Sequence, residues 1–277
     1  MNAPVPESLG IIAGRGVYPR LLAESARRQG VKRIFAVAFR RETDPLIEKY
    51  ADRVEWIALG QLRALIEAFR TSGVKQAVMA GQITPTSLFR VRMDMAMLSL
   101  LSSLKVRNAE TIFGAVAVHL RAVGVELMPA SLFMEFAMPD VGVLTARGPT
   151  GQEHSDIELG LKVAKITSGL DVGQTVVVKE GVILAVEAFE GTDDAIARAG
   201  KLGGPGSVIV KVAKRGHDMR FDIPVIGEHT MRVIRKAKAS ALAVEAKRTI
   251  LLDREKIVEA ANRQGLCLVA VRIEPDL

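Results

Sequence analysis

The chain holds a single cysteine, Cys267, in 277 residues, so it closes no internal disulfide. A crosslinked scaffold of the secreted type is excluded, and a reducing compartment is expected. Cys267 lies in an apolar run with no basic neighbour to lower its pKa, and reads as a small buried hydrophobe in a strand. Histidine is nearly as scarce: His119, His154, His217 and His229 stand apart, with no CxxC or HxxxH spacing. That argues against a zinc or His-rich dinuclear centre. Aromatic residues make up 4%, with one Trp and two Tyr. So few stacking platforms, and no recognition motif, leave nucleic acid out as a partner. No apolar run approaches the ~20 residues of a bilayer-spanning helix. The most apolar stretch, Met93 to Leu104, carries Asp94 and three serines. The first residues lack the basic and apolar regions of a secretion signal, so a cytoplasmic protein, soluble or peripheral to a membrane, is expected.

What is present is a chain 49% hydrophobic with a net charge of +7. That length and apolar content suit one large core or two moderate ones, with two domains expected, and the basic balance favours an anionic partner such as a lipid surface or a phosphorylated metabolite. From Leu9 to about Leu132, β-rich runs (Leu9 to Ala13, Ile34 to Phe39, Val54 to Leu59, Ala77 to Ala80) alternate with amphipathic stretches. This is the pattern of a parallel α/β sheet. Leu62, Leu65, Ile66 and Phe69, spaced i, i+3, i+4, i+7, mark one of its helices. The first strand runs into Gly14-Arg15-Gly16 and a helix from about Tyr18. Such a turn offers backbone N–H groups to a phosphate at a helix N-terminus, or is a plain tight turn. Pro19, where a dinucleotide fingerprint has its third glycine, argues against an NAD(P) enzyme.

Pro129 and Pro139 bracket a change of composition, which places a boundary between residues 1–133 and 134–277. The second part reads as a mixed α/β or α+β domain. Its expected helices are Asp156 to Ser168, one after Thr192, Glu228 to Lys238, and Asp253 to Arg263 with Asp253 as N-cap. Its expected strands are Val208 to Val212, Ala241 to Glu245, Ile250 to Leu252 and Cys267 to Val271. Val176 to Val178 and Val182 to Val186 flank Lys179-Glu180-Gly181, a hairpin that delivers Glu187, Glu190 and Asp193 to one end of a sheet. Lys201 to Ser207 resembles a P-loop only superficially, since it precedes a strand and lacks the terminal Gly-Lys-Ser/Thr; it reads as a connecting loop.

Asp218 and Asp222 stand just past a strand, with Arg220 between them and Pro224 after them. They form either a solvated turn in which an aspartate pairs with Arg220 or the modest carboxylate set that Mg²⁺ uses beside substrate phosphates. Met93, Met97, Leu100, Leu101 and Leu104 share a helical face that Met95 and Leu98 widen. Core or dimer interface is the plain reading. The cations Arg90, Arg92, Lys105 and Arg107 at its rim also suit an amphiphile with an anionic head.

Several of these segments together resemble a known family. Ile12-Ala-Gly14-x-Gly16-x-x-Pro19, Asp156-Ile-x-x-Gly160, Asp171-Val-Gly-Gln174, Ala185 to Asp193, Asp218-x-Arg-Phe-Asp222-x-Pro224 and Gly227 are similar, in this order, to the LpxI-type UDP-2,3-diacylglucosamine pyrophosphatases. The resemblance implies a Mg²⁺-dependent hydrolase of lipid A biosynthesis, peripheral to the inner membrane, that splits its acylated nucleotide-sugar substrate into UMP and lipid X. It also implies a Rossmann-like N-terminal domain and a distinct C-terminal domain. His217 stands where the family usually has Gln, and Ala246-Lys247-Arg248 where it has an Ala-Gly-Lys turn. No metallophosphoesterase or Nudix motif is present.

The candidate catalytic residues are Asp222, Asp218, Glu187 and Glu190, with Asp222 and Asp218 as metal ligands. Lys211, Lys214 and Arg220 are candidate phosphate contacts, and Gly14, Arg15, Gly16, Gln174, Thr192 and Asp193 further substrate contacts. A carrier of an acylated nucleotide sugar or glycolipid phosphate would share the apolar stripe and basic rim, without need of a poised carboxylate pair. A homodimer is a further expectation.

Overall fold

The computed structural model describes residues 5–83, 92–214, 218–220 and 223–273. The chain divides into two units, one of Met1–Met134 with Asp218–Asp222, the other of Glu135–His217 with Ile223–Leu277.

In the first unit, β1 (Ser8–Ala13), β2 (Arg33–Phe39), β3 (Arg53–Ile57), β4 (Gln76–Ala80) and β5 (Glu126–Leu127) form a parallel sheet in the order β3-β2-β1-β4-β5. Helices α1 (Tyr18–Arg28), α2 (Leu62–Ser72), α3 (Met95–Ser103) and α4 (Ala109–Ala122) are described with it. The near-continuous apolar runs of β1, β2 and β4 follow from burial on both faces of a parallel sheet. The apolar stripe of α2 packs inward: Leu62, Leu65 and Phe69 are buried, and Phe69 meets Phe35 edge-on at 5.5 Å. Each such side chain contributes about 2 kcal/mol by leaving water. The Met-rich stripe divides. Met97 and Leu100 are buried, and Met93, Leu101 and Leu104 pack on the same core, while Met95 (80%) and Leu98 (48%) face outward. Arg90 lies outside the described residues.

In the second unit, β6 (Gly142–Val143), β7 (Thr175–Lys179), β8 (Val182–Val186), β9 (Val208–Lys211), β11 (Ala241–Glu245) and β13 (Cys267–Val271) form a mixed sheet in the order β6-β13-β11-β9-β7-β8. Strands β9, β11 and β13 are parallel, and β7, β8 and β6 each run antiparallel to a neighbour. A separate parallel pair joins β10 (Val225–Ile226) to β12 (Ile250–Leu251). The helices are α5 (Gly151–Gly169), α6 (Thr192–Gly203), α7 (Glu228–Ala237) and α8 (Arg254–Arg263). This order brings the carboxyl ends of β9 and β11, the start of β7 and the end of β8 to one sheet edge.

The expected fold class is found: a Rossmann-like parallel-sheet unit and a separate mixed-sheet unit. The hairpin is present, and Asp156 of α5 holds its turn by accepting the N–H groups of Glu180 (2.9 Å) and Gly181 (2.7 Å). Three boundaries differ from expectation. Helix α5 starts at Gly151, because Thr150 and Glu153 form a reciprocal capping box. Helix α6 runs on to Gly203, so Lys201 to Gly203 is helix end and not loop. Asp253 stands before α8, but in left-handed conformation and without a cap hydrogen bond; its carboxylate binds Lys256 instead, at 2.9 Å. Cys267 is buried as expected, and burial pushes its thiol pKa up. Among the described residues no helix is long and apolar enough to cross a membrane.

Candidate functional site

The carboxyl edge of the second sheet gathers the best-defined polar cluster. Lys211 ends β9 and is only 4% exposed, yet its Nζ donates to hydroxyls, to Thr192 Oγ1 at 2.7 Å and Thr175 Oγ1 at 3.3 Å. Thr192 donates in turn to Glu187 Oε1 at 2.9 Å. Glu187, just past β8, is itself buried. Pairing of β7 with β9 sets Thr175 opposite Lys211, and Thr192 opens α6, where a helix N-terminus favours negative charge. An ammonium beside a helix N-terminus forms an environment for phosphate oxygens.

Gly173 brings the pieces together. A Cβ there would lie 2.0 Å from the carbonyl oxygen of Glu187, so only glycine allows the chain before β7 to lie against the end of β8. Beside it in sequence or across the cluster, Gln174 and Asp193 each keep a buried oxygen, Oε1 and Oδ1, without a hydrogen-bond partner among the described residues. Asp193 Oδ2 lies 3.3 Å from His229 Nε2. Buried acceptors of this kind suit hydroxyl or N–H donors of a ligand.

The other acids are placed differently. Glu190 binds Arg198 at 2.6 Å, and that guanidinium holds its carboxyl below the usual range. Lys214 pairs with Asp171. Asp218 accepts from Arg220 Nε at 2.9 and 3.0 Å and from its Nη2 at 2.5 Å, which is the ion-pair geometry expected of a turn. This segment belongs to the first unit, where the Met219 carbonyl accepts from Ala130 N at 2.7 Å. Asp222 and His217 lie outside the described residues. Among the described residues no three His, Cys, Asp or Glu side chains are grouped to hold a metal ion. Of the two expected metal ligands, Asp218 is bound to Arg220, and Asp222 is the one outside the described residues.

In the first unit the Gly14 turn is joined to the end of β4. Gly14 N donates to Ala80 O (2.7 Å) and Arg15 N to Gln82 O (2.8 Å), while Gln82 N returns a bond to Arg15 O (3.1 Å). A Cβ on Gly14 would lie 2.8 Å from Gln82 O, and one on Gly81 2.7 Å from Arg15 O. Close backbone approach thus explains this glycine. Gly16 has φ +91°, and the Arg15 guanidinium binds Glu42 at 2.7 Å. Near the same strand ends, a small apolar cavity of about 40 Å³ is lined by Ile12, Phe39, Leu62, Met79, Met97 and Phe113, among others. The buried face of the Met-rich stripe contributes to it.

Structure brings together Lys211, Thr192 and Glu187 and sets Gln174 and Asp193 beside them in sequence; it holds Glu190, Lys214, Asp218 and Arg220 in ion pairs. Sequence reasoning missed Thr175, Gly81, Lys165 and Glu245. Thr175 faces Lys211 across the β7–β9 pair, which the expected hairpin of β7 and β8 does not specify.

Fold and site define a two-domain α/β protein with a buried cation and hydroxyl cluster suited to a phosphorylated ligand. The LpxI N-terminal domain matches residues 8–136 and the LpxI C-terminal domain residues 140–269. A relative from Caulobacter vibrioides, UDP-2,3-diacylglucosamine pyrophosphatase LpxI, is 31% identical over 278 residues, covering 95% of this chain and 97% of its own. The chain belongs to the LpxI family.

Proposed function

We propose that this chain hydrolyses the pyrophosphate of UDP-2,3-diacylglucosamine to UMP and 2,3-diacylglucosamine 1-phosphate, in lipid A biosynthesis. The observation that carries this reading is the match of both LpxI domains, in order, over residues 8–136 and 140–269, with a relative named for this activity at 31% identity. The local chemistry agrees. Lys211 offers a cation to phosphate oxygens, fixed in place before the ligand arrives by Thr192, whose own proton goes to Glu187. Gln174 and Asp193 offer acceptors to sugar or base donors. The apolar cavity of the first unit suits part of an acyl chain.

In this reading Lys211 neutralises charge that develops on a phosphate as the anhydride bond breaks, Glu187 keeps Thr192 oriented, and Lys214 and Arg220 are further phosphate contacts. Asp222 is the residue expected to orient or deprotonate the attacking water, with Asp218 and Glu190 in supporting parts. Mg²⁺ on Asp222 and Asp218 is part of the proposal and would supply charge neutralisation on the phosphates. The proposal includes a cytoplasmic setting peripheral to the inner membrane, where an acylated substrate would be met.

The test uses purified protein and UDP-2,3-diacylglucosamine, with Mg²⁺ or with EDTA, and the Asp222→Ala variant. UMP release that needs metal, and is lost in Asp222→Ala while substrate still binds, is the expected result. Near-normal turnover by the variant would remove Asp222 from the catalytic set. Tight binding without turnover by the unaltered chain would make it a carrier.

A further inference from the structure

The second unit contains a buried ion pair that the proposed chemistry does not use. Lys165 of α5 (6% side-chain exposure) and Glu245 at the end of β11 (7%) meet at 2.8 Å. A buried pair of charges loses much hydration free energy, and is often no better for stability than apolar residues of the same size. Its contacts point to another role. Glu245 Oε2 also accepts from Ala213 N at 2.8 Å, and Lys165 Nζ also donates to Ala213 O at 2.9 Å. Both polar groups that Ala213 carries on its main chain are therefore held by side chains.

Ala213 lies where β9 leaves the sheet. The last residue before it, Val212, still bonds to backbone, donating to Gln174 O at 3.0 Å. Ala213 has no such strand partner among the described residues, and it stands between Lys211 and Lys214, two lysines assigned above to phosphate. Lys211 is held in the sheet by its pairing with Thr175 and Val244, so without the pair rotation about Ala213 would move the ammonium of Lys214, which follows it.

We propose that Lys165 and Glu245 are positioning residues that clamp the chain at Ala213 and so set Lys214 for a pyrophosphate group held beside Lys211. The proposal rests on the phosphate-contact part of the function given above. Arg248 Nε lies 3.6 Å from Glu245 Oε1, so Glu245 keeps a cation when Lys165 is removed, and Lys165→Met is a workable probe.

The experiment is titration calorimetry of inorganic pyrophosphate into the full-length protein, with turnover of UDP-2,3-diacylglucosamine measured in parallel. A misfolded fraction that cannot refold lowers the stoichiometry and leaves the Kd unmoved, and a melting curve well above the titration temperature shows that each variant is folded during the measurement. The expected result is a Kd about tenfold weaker in Lys165→Met and restored to within about threefold in Lys165→Arg. An unchanged Kd in Lys165→Met would overturn the proposal, as would failure of the unaltered protein to bind pyrophosphate. Should Lys165→Met not fold, Glu245→Gln takes its place; a weaker Kd supports the clamp and an unchanged one overturns it. Pyrophosphate binding that shows the clamp effect, without turnover by the unaltered protein, would contradict the hydrolase reading and leave this inference standing.

Discussion

Lys211 is a charged residue in a place that a lysine seldom occupies without a carboxylate beside it. Its contacts among the described residues are two threonine hydroxyls, so its charge is only partly compensated, and an incoming anion would complete its surroundings. Lys211→Met keeps the apolar stem and removes the charge. Turnover of UDP-2,3-diacylglucosamine is expected to fall about 10²-fold, the usual scale for loss of one electrostatic contact, with the melting temperature held or raised. A variant of unaltered turnover would separate Lys211 from the chemistry. Gly173 gives a structural counterpart. An alanine there would place Cβ 2.0 Å from a backbone oxygen, so the chain must shift. Gly173→Ala is expected to lower stability by about 1–3 kcal/mol in urea denaturation. Lys211 was legible in the sequence as a cation at a strand end; its dependence on Thr175 was not, because cross-strand pairing is settled by register.

Elements were easier to read than their ends. Strands with near-continuous apolar runs and the 3.6-residue stripe of α2 announce themselves, since burial on defined faces writes the pattern directly. Ends depend on single hydrogen bonds. Asp253 has the composition of a cap and a left-handed backbone that prevents it, whereas Thr150 and Glu153 cap α5 five residues before the apolar period begins to show. The α5 cap is reinforced by Arg147, whose two terminal nitrogens each reach a Glu153 oxygen at 2.8 Å. That guanidinium brings the Glu153 carboxyl down from its usual 4.5 to about 2. A depressed carboxylate stabilises the folded state above its unfolded pKa, and the benefit is lost as pH falls through the folded value. The contribution, up to roughly 3 kcal/mol, is therefore expected in full above about pH 5 and to fade toward pH 2. Comparing denaturation of the unaltered chain with Glu153→Gln across that range checks it. A stability difference that stays constant down to pH 2 would show that the ion pair is not its source.

At the scale of the whole molecule, composition excluded more than it identified. Scarce cysteine, histidine and aromatic residues removed disulfide, zinc and nucleic-acid readings, and the alternating first half gave the Rossmann-like unit. The ordered segments from Ile12 to Gly227 carried the family, to which both domain matches and the Caulobacter vibrioides relative assign the chain. Less legible was which acids act together. Spacing set Glu187, Glu190 and Asp193 in one group, whereas the folded chain gives Glu190 to Arg198 and Glu187 to Thr192. Such partner choices depend on helix and strand packing that no local pattern states. The central claim is hydrolysis of a phosphoanhydride, and the most direct measurement is incubation with UDP-2,3-diacylglucosamine and Mg²⁺ in ¹⁸O-labelled water, with both products weighed by mass spectrometry. The account predicts UMP and 2,3-diacylglucosamine 1-phosphate, with one ¹⁸O atom in one of the two phosphates. Substrate recovered intact and free of label, from protein shown to bind it, would contradict the account.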